Sequence, residues 1–125
     1  MNTFNKIERL KNKKLIERLF DSGQSITVFP LKAVYLNTSF EDEVAVKVAV
    51  SVSKRLFGSA VDRNHIKRLL REVYRLNRND IFNNMTTQCA VMILYIGVEK
   101  PSFEQLDGAM VSLLTKLHNK LSNKK

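Results

Sequence analysis

The chain of 125 residues has one cysteine, two prolines, four scattered glycines, no tryptophan and fewer acids than bases. Each shortage excludes something. A lone thiol, Cys89, can form neither a disulfide framework nor a thiol metal site within one chain. It lies in an apolar run, so an inert buried thiol is expected. Without clustered glycines there is no glycine-rich loop to cradle a phosphate. His65 and His118 are far apart and fit no metal-ligand spacing. Glu41, Asp42 and Glu43 cluster without a His or Cys partner, whereas a two-metal nuclease needs several convergent carboxylates. The longest apolar stretch, 90–98, is too short to span a bilayer. The first residues hold no apolar signal core, so a cytoplasmic protein is expected. No catalytic residue can be nominated, and the chain reads as a binder.

What is present is charge of one sign, and it is concentrated. The net charge is +9 with a hydrophobic fraction of 44%, which suits one folded domain over 1–125, its last few residues frayed. Lys54, Arg55, Arg63, Lys67, Arg68, Arg71, Arg75 and Arg78, set against Asp62 and Glu72, carry +6 of that +9. A clustered charge makes a local field that favours a polyanion over diffuse solvation. A membrane surface would also attract it, but there is no Trp-rich face of the kind an interfacial helix shows, and no membrane partner is expected.

Residues 60–78 read AVDRNHIKRLLREVYRLNR. Wound at about 100° per residue they split into two arcs. Ile66, Leu69, Leu70, Val73 and Leu76 form the side to be buried. Arg63, Asn64, Lys67, Arg68, Arg71, Arg75 and Arg78 form the other. Solvated helix faces usually mix signs in pairs four apart, but no acid interrupts this arc, and Glu72 is placed outside it beside Arg68. Guanidinium forks suit the paired oxygens of phosphate. No short helix-turn-helix pair precedes the segment, which argues against a DNA reader.

Elsewhere, residues 4–20 suggest a basic helix ended by Gly23 in the left-handed conformation. Residues 28–36 suggest a strand with Pro30 near its start, and 44–53 a strand whose valines alternate with Lys47, Ala49, Ser51 and Ser53. The two are close enough to pair antiparallel. The small, polar face of the second would make a shallow, partly open floor. Ser59 is a plausible helix cap, and 77–84 reads as loop. Residues 88–96 lack alternation and suggest a strand covered on both faces. Ser102 with Gln105 fits a capping box before a stripe of Leu106, Met110, Leu113, Leu114, Leu117 and Leu121.

The run 51–75, SVSKRLFGSAVDRNHIKRLLREVYR, resembles the signature of the bacterial ribonuclease P protein family. There a strand ending Ser51-Val52-Ser53-Lys54 leads through a glycine-containing connector into a helix bearing Arg63, Asn64, Lys67, Arg68 and Arg71. The likeness extends over nearly the whole chain, though the connector is one residue longer than the commonest form. Leu15 stands where the family often has a Phe, and Tyr95 where many members have a base. The resemblance implies an α+β fold, a two-layer α/β sandwich in the order α-β-β-β-α-β-α with a left-handed βαβ crossover, similar to a ribosomal-protein domain. It implies as partners a catalytic RNA and precursor tRNA, with no DNA, and Mg²⁺ held mainly by the RNA, which would do the cutting. Lys54, Arg55, Arg63, Asn64, Lys67, Arg68, Arg71 and Arg75 would bind RNA. Phe20, Tyr35, Lys47 and Ser51 would line a cleft for the 5′ leader. A ribosomal protein or another structural RNA binder is the alternative.

Overall fold

The computed structural model describes residues 9–40, 46–82 and 87–122. Helix α1 spans Lys13–Ser22, strands β1, β2 and β3 span Gln24–Val28, Leu31–Asn37 and Val46–Val52, helix α2 spans Ala60–Ile81, strand β4 Cys89–Tyr95 and helix α3 Phe103–Ser122. This is the expected order. The strands form one sheet, β1-β2-β4-β3. β1 and β2 make an antiparallel hairpin turning at Phe29–Pro30, whose peptide bond is cis. β4 pairs antiparallel with β2 and parallel with β3, so β3, α2 and β4 form a βαβ unit.

The expected pairing of the two early strands does not occur, because β4 lies between them. Its run CAVMILY is buried at nearly every position. Placing the most apolar strand at the centre, where both faces are covered, outweighs pairing with the nearer neighbour in sequence. The early strand also begins later and is preceded by another. Pro30, which has no N–H to donate, sits in the turn between them.

The N-terminal helix is shorter than expected. Leu10 N–H donates to Val48 O at 2.9 Å and Arg9 bridges Val48, so residues 9–10 lie parallel along the outer edge of β3. Asn12 then starts α1, its Oδ1 accepting from Leu15 N–H at 3.1 Å. The earlier part of the expected helix, 4–8, lies outside the described residues. Gly23 is not left-handed: its φ of −73° is ordinary. Glycine fits here for space, since a Cβ would press on Leu19 O and come within 2.9 Å of Val34 Cγ1.

Ser59 caps α2, its Oγ accepting from Asp62 N–H at 3.4 Å. The helix runs past the expected stop. Asn77 Nδ2 donates to Val73 O and to Asp107 Oδ1, each at 2.8 Å, and so ties α2 to α3. Residues 77–81 are therefore helical, and 83–84 lie outside the described residues. Ser102 caps α3, and its six stripe residues are all buried as expected.

The core is split by the sheet. On one face Ile26, Leu31, Ala33, Tyr35, Val48, Val91 and Ile93 pack beneath α2 and α3. On the other, Val34, Ala90 and Met92 pack against Leu10 and Leu19 of the N-terminal segment. The sheet with α2 and α3 makes the two-layer sandwich, and α1 covers part of the open face. Cys89 is fully buried, and desolvation pushes its thiol pKa up to about 12, consistent with an inert group.

Candidate nucleic-acid interface

Helix α2 presents two faces, shifted slightly from the sequence reading. Ile66, Leu70, Val73 and Tyr74 are buried, while Leu69 is only partly covered and Leu76 is 48% exposed. Tyr74 takes the place given to Leu76 because α2 leans on α3: the Tyr74 ring meets Phe82 at the end of α2, 6.5 Å between centroids, and Phe82 in turn meets His118 of α3 at 6.4 Å.

The opposite face holds the cations, which are not equivalent. Arg63 turns back to its own connector, Nη1 donating to Phe57 O at 2.8 Å and Gly58 O at 3.0 Å. Arg75 is matched by a fork onto Glu72, Nε to Oε1 at 3.2 Å and Nη2 to Oε2 at 2.6 Å. That hydrogen-bonded pair lowers the Glu72 carboxyl pKa and raises the Arg75 guanidinium pKa. Glu72 therefore serves Arg75 rather than standing beside Arg68. Asn64, Arg68 and Arg71 are exposed, and Lys67 is half-buried. The Arg71 pKa is lowered, first by desolvation and then by the like charges of Arg9 and Arg68. Arg9 thus belongs to this cationic cluster. Sequence reasoning missed it by winding it into a helix, and only the pairing of residues 9–10 with Val48 brings it here.

Lys54 and Arg55 project from a turn fixed at both ends. Ser53 Oγ accepts from the backbone N–H of Arg55 at 3.1 Å and of Leu56 at 3.4 Å. Beyond them Phe57 is buried against Tyr95, ring centroids 5.9 Å apart. Both basic side chains remain exposed.

The floor lies on the α1 side of the sheet. In register, Lys47, Ala90 and Leu36 form one row, Ala49, Met92 and Val34 the next, and Ser51, Leu94 and Lys32 the third. Lys47, Ala49, Ser51 and Lys32 are half-buried, so the surface is shallow and partly open. Lys47 Nζ sits 5.0 Å from the centre of the Phe40 ring, and Phe20 on α1 is 57% exposed. Tyr35 does not join them. Alternation along β2 turns it to the α2/α3 face, where it is 6% exposed and donates its hydroxyl to Gln24 Oε1 at 3.0 Å. Val34 takes its place on the floor side. Leu15 is half-buried against the smaller core. Lys32 and Phe40 are the floor residues that the sequence reading left out; the β2–β4–β3 register, not any local pattern, puts Lys32 in the same row as Ser51, across Leu94.

Among the described residues no three His, Cys, Asp or Glu side chains gather to hold a metal ion. Among the same residues no helix is long and apolar enough to cross a membrane.

The family model for Ribonuclease P matches residues 4–118. The chain is 34% identical over 115 residues to a ribonuclease P protein component from Porphyromonas gingivalis, covering 90% of this chain and 84% of the relative. It is 37% identical over 123 residues to the one from Chlorobium phaeobacteroides, covering 85% and 82%. Among solved structures, the Staphylococcus aureus RNase P protein gives a TM-score of 0.70 at 22% identity, over 88% of this chain and 94% of that one. The Thermotoga maritima RNase P protein gives 0.70 at 18% identity, over 87% and 96%. At these identities the two structures speak to the fold alone.

Proposed function

Because the chain belongs to the ribonuclease P family, we propose that it is the protein subunit of that endoribonuclease and works bound to a catalytic RNA. The ribosomal-protein alternative is not favoured, since the relatives are ribonuclease P protein components over most of their length. The observation that carries the reading is the basic face of α2, where Asn64, Arg68 and Arg71 stand exposed and Lys67 half-buried, with Arg9 close to Arg71. Arg71, held partly desolvated beside two like charges, would be relieved by a polyanion, and phosphate accepts guanidinium in pairs.

In this reading Arg68, Arg71, Lys67 and Asn64 hold phosphates and sugars of the folded RNA. Lys54, Arg55 and Arg75 extend the field. Arg63 acts mostly within the protein, bracing the connector that aims Lys54 and Arg55. Precursor tRNA is the substrate, and its single-stranded 5′ leader lies on the floor of Lys47, Ala49 and Ser51 beside Phe20. Backbone attraction and stacking suffice for a strand of any sequence.

The RNA carries out the cleavage. In this reading Mg²⁺ is held mainly by the RNA; among the described residues no three His, Cys, Asp or Glu side chains gather to hold it, and no step is assigned to this chain through the ion. The particle works in the cytoplasm. The test is direct. Purified protein mixed with precursor tRNA and Mg²⁺ should release no leader, and adding the catalytic RNA should restore cleavage at the mature 5′ end. Cleavage by the protein alone would overturn the division of labour.

A further inference from the structure

We infer that Tyr95, the last residue of β4, is a positioning residue for RNA binding: it grips the connector between β3 and α2, so that Lys54 and Arg55 are fixed in place before any RNA arrives. The inference rests on the proposed function in taking these cations as RNA contacts.

The grip is a closed circuit. Phe57, in the connector, packs its ring on that of Tyr95, centroids 5.9 Å apart, and both are buried. The Tyr95 hydroxyl donates to Glu99 O. Next along the chain, Lys100 Nζ pairs with Asp62 Oδ1 at 3.0 Å, in the first turn of α2. Beside Asp62, Arg63 Nη1 returns to the connector, donating to Phe57 O at 2.8 Å and Gly58 O at 3.0 Å. The loop after β4 is moulded on the same ring: a Cβ on Gly97 would lie 2.5 Å from the Tyr95 hydroxyl oxygen and 2.7 Å from Cζ. Burial, then the Glu99 charge, raises the Tyr95 pKa, so the hydroxyl keeps its proton to donate at neutral pH.

What the circuit holds still is basic. Phe57 N–H donates to Ser53 O at 3.0 Å, and Ser53 Oγ accepts from the N–H of Arg55 and of Leu56. The turn 53–57 is therefore closed locally and anchored through the Phe57 ring to Tyr95. Lys54 and Arg55 stand exposed on it. A loose turn would lose entropy on binding, and a turn already set avoids most of that loss. The Lys100–Asp62 pair lies toward the surface, where an ion pair adds little to stability; its part here is to close the circuit onto α2.

The test titrates the full-length protein with the catalytic RNA over a range of salt, for Tyr95→Phe, Lys54→Ala/Arg55→Ala and the combination. Tyr95→Phe keeps the ring against Phe57 and removes only the hydroxyl, so it should weaken binding by roughly two- to tenfold, the worth of one hydrogen bond. Lys54→Ala/Arg55→Ala should lower the salt slope by about 1.8, near 0.9 per phosphate contact. In that background Tyr95→Phe should weaken binding no further, because the cations it holds in place are gone. A lower melting temperature in Tyr95→Phe is carried by both arms of the cycle and cancels. Equal weakening in both backgrounds would make the role of Tyr95 structural only and overturn the inference. Wild-type binding by Tyr95→Phe would overturn it as well. If Lys54→Ala/Arg55→Ala left the slope unchanged while Arg68→Ala/Arg71→Ala lowered it, the turn would lie outside the interface: the inference would fall and the proposed function would stand. If neither pair changed the slope, both would fall.

Discussion

The two faces of the sheet are built on opposite plans. Beneath α2 and α3, β4 contributes Cys89, Val91, Ile93 and Tyr95, and β3 contributes Val46, Val48 and Val52, all buried. On the other side the same strands show Ala90, Met92 and Leu94, then Lys47, Ala49 and Ser51, under one short helix. The closed face is filled with bulky apolar side chains. The open face uses small and amphipathic residues, whose stems cover the sheet while their heads remain at the surface. A chain that needed only stability would not leave the second face half-covered, so the contrast separates where the fold is held from where a partner is met.

The largest expected effect tests the closed side. Leu70 is fully buried between α2 and the sheet, and Leu70→Ala should cost about 2–5 kcal/mol of unfolding free energy. Lys47→Ala on the open side should stay within about 0.5 kcal/mol yet weaken binding of a leader-bearing precursor tRNA to the holoenzyme. Urea denaturation and a binding titration of both variants decide it. Equal losses of stability would remove the distinction between the faces.

Next comes the contrast within α2. Arg68→Ala/Arg71→Ala should lower the salt slope for the catalytic RNA by about 1.8, near 0.9 per duplex phosphate contact, without loss of stability, because Arg71 is charged in an unfavourable setting beside Arg9 and Arg68. An unchanged slope would take both arginines out of the interface.

Much of this was legible in one dimension. The two arcs of α2, the α3 stripe and the buried character of β4 are periodic signals, and periodicity reports which side is covered. Pairing leaves no such trace. The sequence offered 28–36 and 44–53 as neighbours, and only competition for the centre of the sheet puts β4 between them. The same lack hid Arg9, which reaches the α2 cluster through a bridge to Val48, and Lys32, which reaches Ser51 through two ladders. Tyr35 was misplaced for a simpler reason: Ala33, Val34, Tyr35 and Leu36 are apolar in succession, so no alternation marks which face each side chain takes, and Val34 holds the position on the floor side.

The smallest effect sharpens the contrast further along α2. Glu72 neutralises Arg75 and leaves Arg68 and Arg71 uncompensated. Its lowered carboxyl pKa means that the pair contributes at and above the ordinary carboxylate range, and is lost as pH falls through the folded value below it. Glu72→Gln should abolish that acid-side dependence. At neutral pH it should release the Arg75 fork to the RNA, tightening binding slightly and steepening its salt dependence by less than one phosphate contact. Weaker binding in Glu72→Gln would mean instead that the carboxylate holds Arg75 in the orientation the RNA needs, and would move Arg75 from the margin of the interface to its centre.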